Sequence, residues 1–304
     1  MHKITSKCII INIETVQIQI PNKRRGTLRK KGEVVYMKKL FRTGIVTVVM
    51  IGLLGLTGCG AQQTAAPAGN AATGGGAPAE KVLKVGADIA YAPFEFMDTN
   101  QKPTGFDIDL MTEIGKDMGY TVKFETAAFD GLIASLGSGK FDAIASAMTI
   151  TDERAKSVLF SDKYFESAQY IAVIKGSSIK SEADLKGKKV AVQQGTTGQI
   201  AVEGLGNNPK KFETVGDAIN DMINGGSEAV VADSPTLLYY IKQNPDKNIV
   251  AVSGNFPKEY FGVAFKMDNK DLANKFNASL KKFKENGKYN DIYKKWFNQD
   301  APQF

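Results

Sequence analysis

Polar residues that can pair with charges follow four apolar, strand-like segments of the chain. They are Asp88 after KVLKVGA, Ser146 and Thr149 just before Arg154, Thr196 and Thr197 in QQGTTG, and Asp233 at the end of AVVAD. Together they offer a guanidinium, backbone N–H groups at the start of a helix, and a carboxylate. A guanidinium and a helix N-terminus bind carboxylates, and a carboxylate binds an ammonium. The set therefore predicts a site for an α-amino acid zwitterion.

Arg154 lies where a cation is unfavourable for its own helix. In MTITDER, Thr151 is a good N-cap and Asp152 and Glu153 suit the first turn, but a cation at the third position opposes the helix dipole by roughly 0.3–1 kcal/mol. A guanidinium can hold a carboxylate with two parallel hydrogen bonds, which lysine cannot do. We therefore expect Arg154 to bind the carboxylate of the ligand. The alternative is that Arg154 only pairs with an acid such as Glu153 at the surface.

The remaining candidate residues complement this cation. Asp233 and Thr149 are expected to take the ammonium of the ligand, and backbone N–H groups near Thr196 its carboxylate. Tyr91 and Phe129 each follow a strand-like segment and are expected to enclose the ligand's side chain. Ordinary core packing is the alternative for the aromatic residues, and it is the more frequent fate of phenylalanine.

The segments that carry these residues alternate between strand and helix patterns. Strands are predicted at 81–88, 120–126, 141–149, 188–192 and 229–235, and helices at 105–119 and 130–139. This order predicts an α/β fold with mostly parallel sheets. Ligands of such sheets bind at the carboxyl ends of the strands, where the polar residues lie.

Two stretches of the chain repeat one order of features. Residues 130–149 and 217–236 both run from a helix through glycine to a buried strand and a polar turn. The repeat favours two equivalent lobes that each direct a strand end at a shared cleft. Chance similarity of two ordinary helix–strand units is the alternative.

The charge of the folded part is close to zero. The whole chain has a net charge of +7, but residues 1–58 hold eleven of the 39 Lys and Arg residues and two of the 32 Asp and Glu residues. From Cys59 onward, 28 basic and 30 acidic residues remain, a net charge of −2. A nucleic-acid partner is therefore not expected.

Cysteine and histidine are nearly absent. Cys8, Cys59 and His2 are the only ones in the sequence. After Cys59, no disulfide, Cys/His zinc site, Cys-His pair or Ser-His-Asp triad can form. Most hydrolase mechanisms are excluded, and neither a metal nor another cofactor is expected.

Residues 37–58 have the three parts of a secretory signal peptide: a basic start, an apolar run and small residues before Cys59. LTGC at 56–59 resembles a bacterial lipobox, which implies cleavage before Cys59 and lipidation of its thiol. An uncleaved anchor helix is the alternative, but the apolar run is short for a membrane span. Residues 59–80 are predicted to be a flexible linker that tethers the protein to the membrane, and 1–36 to be a non-native upstream extension.

Seven stretches between residues 82 and 299 together resemble a known family. They are YAPFEF, GFDIDLMTEI, FDGLIASL, SAMTITDERAKSVLFSDKY, VAVQQGTTG, VVADSPTLLYYIK and ENGKYNDIYKKWF. They are similar to the bacterial solute-binding proteins for polar amino acids, the extracytoplasmic receptors of ABC importers, and especially to the glutamine-binding members. The resemblance implies a monomer shaped as a two-lobed clamshell, with a permease and its ATPase as partners. Lobe one would comprise 81–165 and 262–304, and lobe two 166–261, joined by a two-strand hinge.

The resemblance also implies a role for each candidate residue. Asp88, Tyr91 and Phe129 would contact the ligand's side chain, Ser146, Thr149 and Asp233 its α-ammonium, and Arg154, Thr196 and the amide of Thr197 its carboxylate. The chain departs from the glutamine binders at two positions, since Ala147 replaces a glycine and Ala232 a histidine. These departures leave the expected contacts to the zwitterion intact but open the question of side-chain preference.

Glutamine is the expected ligand, and a basic amino acid is the alternative because Asp88 can pair with a cation as readily as with an amide. An enzyme of the same fold, such as a dehydratase or a lytic transglycosylase, would need a proton-donating carboxyl, for which Glu95 is the candidate. A sensor that signals through a separate partner is the third interpretation.

Overall fold

The computed structural model describes residues 80–303. The predicted upstream extension, the signal peptide and Cys59 lie outside these residues, as does all of the linker except Glu80. Within the described range, no helix is both long and apolar enough to span a membrane.

Strands and helices alternate along the described chain. The strands are β1 (Val82–Ala87), β2 (Phe96–Met97), β3 (Pro103–Thr104), β4 (Thr121–Thr126), β5 (Ala143–Ile144), β6 (Leu159–Phe160), β7 (Phe165–Ile174), β8 (Val190–Gln193), β9 (Lys210–Phe212), β10 (Ala229–Asp233), β11 (Ile249–Phe261) and β12 (Ala264–Phe265). The α-helices are α1 (Phe106–Asp117), α2 (Leu132–Gly137), α3 (Asp152–Ala155), α4 (Thr197–Gly204), α5 (Val215–Ile223), α6 (Ser234–Gln243), α7 (Lys270–Glu285) and α8 (Lys288–Phe297). Single 3-10 turns lie at Phe129–Gly131, Glu182–Leu185 and Pro245–Lys247.

The strands form two five-stranded sheets and a small β2–β3 ribbon. The first sheet has the order β4-β1-β5-β12-β6 and, with α1, α2, α7 and α8, forms the first lobe. The second has the order β11-β7-β10-β8-β9 and, with α4, α5 and α6, forms the second lobe. The two-lobed α/β fold is confirmed, although each sheet is mixed, since β12 in the first and β7 and β11 in the second run antiparallel to their neighbours.

The sequence explains which strands lie at the centre. All residues of β8 (VAVQ) and β10 (AVVAD) are buried, as is expected for parallel strands covered by helices on both faces. Helix α5 places Val215, Ala218, Ile219 and Met222 on its buried face, and the Thr214 hydroxyl caps its N-terminus. The buried strands end at Gln193 and Asp233, so both polar side chains emerge at one edge of the second sheet.

Two long strands connect the lobes. β7 and β11 pair antiparallel from Ile249–Ile174 to Phe261–Phe165, with an irregularity between Ser253 and Lys258. Where they reach the first lobe, Phe165 and Phe261 stack on each other and meet Phe94 edge-on at centroid distances of 4.9 and 5.3 Å. This buried aromatic cluster fixes the entry of both strands into the first lobe.

The predicted strand 141–149 is shorter than expected. Only Ala143 and Ile144 pair with β1, and Ala147 then adopts a left-handed conformation with φ of 43°. Its N–H donates to the buried Asp107 carboxylate at 2.8 Å, which offsets a conformational cost of about 1–2 kcal/mol. The turn brings Thr149 to the cleft between the lobes.

Candidate ligand-binding site

A cavity lies between the lobes, at the carboxyl ends of the central strands, and its space together with its opening to solvent is about 240 Å³. It is lined by Tyr91, Phe129, Ala147, Thr149, Arg154, Gln193, Thr196, Thr197 and Asp233. Seven of the nine predicted residues are therefore brought together.

Arg154 reaches from the first lobe to the second. Its guanidinium donates to the Thr149 carbonyl at 2.7 Å and to the Gly195 carbonyl at 2.9 Å, and it lies over the Phe129 ring at 5.3 Å. Two of its five N–H donors are thus engaged, which leaves donors for a bound carboxylate. Arg154 does not pair with Glu153 at the surface, because Glu153 pairs with Lys156 instead.

The N-terminus of α4 faces the cavity from the second lobe. The Thr196 hydroxyl accepts from the Gln199 N–H at 3.2 Å and donates to the Gln193 carbonyl at 2.8 Å. Thr196 is therefore the N-cap, and its hydroxyl is already in use. The Thr197 N–H lies in the first turn, where backbone N–H groups have no partner within the helix.

Asp233 receives three hydrogen bonds. The Tyr91 O–H donates at 2.5 Å from the first lobe, and Ser167 O–H and Gln169 Nε2 donate at 3.0 and 3.1 Å. Burial raises the pKa of Asp233 to about 7 and the negative charge of Glu259 raises it further, although the hydrogen bonds from Tyr91 and Ser167 and the positive charge of Arg154 oppose the rise. The carboxylate is therefore poised to gain from a bound cation.

Asp88 and Ser146 lie just behind the lining. Gln193 Nε2 donates to the Asp88 carboxylate at 2.6 Å, across the two lobes, and to the Glu213 carbonyl at 2.9 Å. The Asp88 N–H donates to the Ser146 hydroxyl, and this hydroxyl donates to Glu95, both at 2.9 Å. The Ser146 hydroxyl is thus committed to buried neighbours and does not line the cavity, and its contact with the ligand stays a prediction.

Burial also raises the pKa of Asp88, to about 6. The negative charges of Glu213 and Asp130 raise it further, whereas the Gln193 amide lowers it. The amide oxygen of Gln193 is buried and has no hydrogen-bond partner within the described part of the chain. Acceptors and negative charge therefore lie directly behind this end of the cavity.

Three residues that sequence reasoning missed complete the site. Gln193 lines the cavity, and Gln169 and Glu259 lie behind it on the connecting strands β7 and β11. Gln193 belongs to the stretch QQGTTG, in which only the two threonines are predicted to bind the ligand. No sequence signal distinguishes Glu259 or Gln169, since each acts through contacts with distant segments.

The described residues contain no cluster of His, Cys, Asp and Glu that could hold a metal ion. A two-lobed fold with a polar cavity between the lobes is the architecture of a solute-binding protein. Residues 83–299 match the family described as bacterial extracellular solute-binding proteins, family 3, and the chain belongs to this family.

Curated relatives and solved structures agree with this assignment. The "Probable histidine-binding protein" of Neisseria gonorrhoeae is 37% identical over 267 residues, which cover 85% of this chain and 97% of the relative. The "ABC transporter arginine-binding protein 1" of Escherichia coli (strain K12) is 35% identical over 230 residues, 74% of this chain and 94% of the relative. The structure of "an ancestral arginine-binding protein bound to glutamine" is 44% identical, with a TM-score of 0.70, and covers 72% of this chain and 99% of its own. The structure of "an ancestral arginine-binding protein bound to arginine" is likewise 44% identical, with a TM-score of 0.69, and covers 72% of this chain and 99% of its own.

Proposed function

We propose that this protein is the amino-acid-binding receptor of an ABC importer and that it binds a basic L-amino acid. The observation that carries the proposal is the placement of Arg154 and Asp233, opposite charges on opposite lobes, at the same end of one cavity. An α-amino acid carries the complementary pair of charges on one carbon atom.

The carboxylate of the ligand is proposed to bind Arg154 and the Thr197 N–H. Arg154 retains free donors, and the N-terminus of α4 contributes its partial positive charge. The two groups come from different lobes, so a carboxylate bound between them stabilises the closed arrangement.

The ammonium of the ligand is proposed to bind Asp233 and Thr149. Asp233 is 5% exposed, and burial together with the negative charge of Glu259 raises its pKa in spite of the charge of Arg154. A bound ammonium supplies a close cation, as buried charges require.

The side chain is proposed to point to Gln193, which lines the cavity with Asp88 directly behind it, and the charge of the side chain decides the amino acid. In ionised form, the carboxylates of Asp88, Asp233 and Glu259 outnumber the single guanidinium of Arg154 in and around the cavity. A zwitterion adds no net charge, whereas a basic side chain supplies the missing cation next to Asp88. The partnerless Gln193 oxygen offers a second acceptor to a donor-rich group such as guanidinium.

Glutamine, the expectation from sequence, is the second candidate. The Gln193 amide carries one donor group and one acceptor, which complement a primary amide. The similar ancestral protein is described with glutamine and with arginine, so one cavity of this kind accommodates both side chains.

Ligand capture is proposed to close the clamshell at the connecting strands. The two lobes would rotate about hinges near 164–168 and 258–262. Lobe one would comprise 81–165 and 262–304, and lobe two 166–261. Cross-lobe contacts such as Tyr91–Asp233 exist only when the cleft is shut, so a ligand that needs both lobes shifts the population to the closed state. The closed form would be presented to the permease and its ATPase.

A same-fold enzyme is not favoured by the placement of Glu95. Its carboxyl is 0% exposed, accepts from Ser146, and has a pKa well above the ordinary value because of burial. A proton donor for a substrate must reach that substrate, and Glu95 does not line the cavity.

Attachment to the membrane through lipidated Cys59 is proposed from the sequence. A Cys59→Ala variant should be released from the membrane fraction of its host and lose incorporation of labelled fatty acid. Equal retention of the variant would contradict the anchor. The receptor is further proposed to act as a monomer, which sedimentation with and without ligand measures.

Isothermal calorimetry of the mature protein tests the ligand class. L-Arginine, L-lysine, L-histidine, L-glutamine and L-glutamate should be compared at pH 8. We expect L-arginine or L-lysine to bind most tightly and L-glutamate not to bind. Tightest binding of glutamine would favour the second candidate, and no binding of any of the five would refute the proposed function.

A further inference from the structure

Glu259 lies on β11, directly behind the residues proposed to hold the ligand's main-chain groups. The strand is fixed there by the Ile150 N–H, which donates to the Tyr260 carbonyl at 2.8 Å, and by the Gly262 N–H, which donates to the Met148 carbonyl at 3.0 Å. The backbones of Thr149 and Phe261 also form a bridge. Glu259 is therefore held close to Thr149 although 110 residues separate them.

Three donors converge on one oxygen of Glu259. Thr197 O–H donates to Oε2 at 2.7 Å, Thr149 O–H at 3.0 Å, and Gln169 Nε2 at 3.2 Å. The Thr149 and Thr197 hydroxyl oxygens are 3.4 Å apart, so each lies closer to the carboxylate than to the other hydroxyl. Glu259 is thus the shared acceptor of one hydroxyl from each lobe.

A carboxylate has no proton to donate, so it dictates the direction of both hydroxyl protons. Each threonine O–H must point to Glu259, which leaves only lone pairs of Thr149 directed at the cavity that it lines. An ammonium is a donor without any acceptor. The orientation imposed by Glu259 therefore makes Thr149 the correct partner for an ammonium.

The neighbouring glutamine is oriented by the same rule. Gln169 Nε2 lies 3.1 Å from Asp233 and 3.2 Å from Glu259. If the amide were flipped, its oxygen would face these two carboxylates, which are acceptors as well. Its amide nitrogen must lie between them, so Asp233 and Glu259 are joined through one side chain. Both connecting strands thus contribute to the same end of the site.

We propose that Glu259 is a positioning residue that fixes the Thr149 hydroxyl as a hydrogen-bond acceptor for the α-ammonium of the ligand. This inference rests on the proposed function, because it assumes that the ammonium lies between Thr149 and Asp233. It also implies that Thr197 offers the ligand carboxylate its backbone N–H and not its hydroxyl.

The test compares an amino acid with its α-hydroxy analogue, whose hydroxyl can donate or accept. The probes are L-arginine with L-2-hydroxy-5-guanidinopentanoate, and L-glutamine with L-2-hydroxy-4-carbamoylbutanoate. In E259Q the new amide can donate to Thr149, and the Thr149 proton is then free to point at the ammonium. We expect the preference for the amino acid over the hydroxy acid to fall about 10-fold.

The control is E166Q. Glu166 is also a carboxylate on a connecting strand, but it pairs with Lys258 at 2.7 Å and touches neither threonine in the described contacts. Its replacement should leave the ratio of the two dissociation constants unchanged. A merely structural role of Glu259 would weaken both ligands equally and keep that ratio.

Two further variants keep the test decisive. E259D retains the charge, but its side chain is one methylene shorter, so the carboxylate lies farther from the two threonines. This variant replaces E259Q in the test if E259Q does not fold. In a Thr149→Val background, E259Q should change the ratio by less than about twofold, because the oriented hydroxyl is gone. A wild-type ratio in folded E259Q and E259D would overturn the inference. Absence of amino-acid binding by the wild-type protein would instead refute the proposed function.

Discussion

The two ends of the cavity differ in how their charges are balanced. At the main-chain end, Arg154 faces Asp233, and a zwitterion would add one charge of each sign. At the side-chain end, Asp88 faces only the amide of Gln193, with the negative charges of Glu213 and Asp130 beyond it. Under the proposed function, the main-chain end would therefore serve any amino acid, whereas the side-chain end would select among them.

Removal of Arg154 should break the main-chain end and cause the largest loss. In Arg154→Ala, the ligand carboxylate is left buried with too few donors, and binding should weaken by about 2–5 kcal/mol for every amino acid that the protein binds. Calorimetry measures the loss, and Lys156→Ala directly after the same short helix is the control because that side chain lies at the surface. Wild-type affinity in Arg154→Ala would contradict the assigned role.

Removal of the charge of Asp88 should act on one class of ligand only. Asp88→Asn keeps the shape of the side chain but not its charge, so L-arginine should lose about 2 kcal/mol of binding free energy. L-Glutamine should change by less than about 1 kcal/mol, because an amide needs only a neutral partner. Equal losses of binding free energy for both ligands would show that Asp88 only supports the structure of the cavity and does not discriminate between charged and neutral ligand side chains.

Lower pH should weaken binding at both ends. Burial raises the pKa of Asp233 to about 7 and that of Asp88 to about 6, and a bound cation lowers both, so binding releases protons. The charges of Arg154 and Glu259 also act on Asp233. From pH 8 to pH 6 we expect about a 10-fold loss of affinity, or about 1.4 kcal/mol. Calorimetry in buffers of different ionisation enthalpy measures the proton release. An affinity that does not change with pH would contradict the prediction.

The empty protein should show the opposite trend in stability. The pKa of Asp233 in the folded state, about 7, lies above its ordinary value of 3.8, so the folded state binds more protons than the unfolded state between these values. The free energy of unfolding should therefore fall as the pH rises through this window. Thermal unfolding at a series of pH values measures this trend, and saturating ligand should make the stability depend less on pH. An increase in the stability of the empty protein as the pH rises through this window would contradict the prediction.

Loss of the Tyr91 hydroxyl should have the smallest effect. Tyr91→Phe removes the donor that joins the first lobe to Asp233, and binding should weaken by about 1 kcal/mol for arginine and glutamine alike. A selective effect on one of the two would place Tyr91 at the side-chain end.

The sequence predicted the charged pair but not its supports. Asp233 was identifiable because it is a charged residue at the end of a strand-like segment, and Arg154 because it follows such a segment closely and is unfavourable for its own helix. Gln193, Gln169 and Glu259 were not, since their contacts join residues 105, 64 and 110 positions apart. Such contacts arise only when the lobes come together.

The local course of the backbone was also only partly predictable. The strands at 81–88 and 120–126 are close to their observed bounds because their apolar periodicity is regular. The segment 141–149 reads as one apolar strand, but Ala147 turns it with a positive φ that sequence alone does not favour for alanine. That turn and the buried Asp107 beneath it explain why Ser146 points away from the cavity while Thr149 lines it.

The central claim is that opposite charges on the two lobes hold the main-chain groups of an amino acid. A crystal structure with bound L-arginine, or with L-glutamine should that bind more tightly, tests it directly. We expect the Arg154 guanidinium to lie about 2.7–2.9 Å from the ligand carboxylate, and the ammonium at the same distance from Asp233. A guanidinium that points into solvent, away from the bound molecule, would contradict the account.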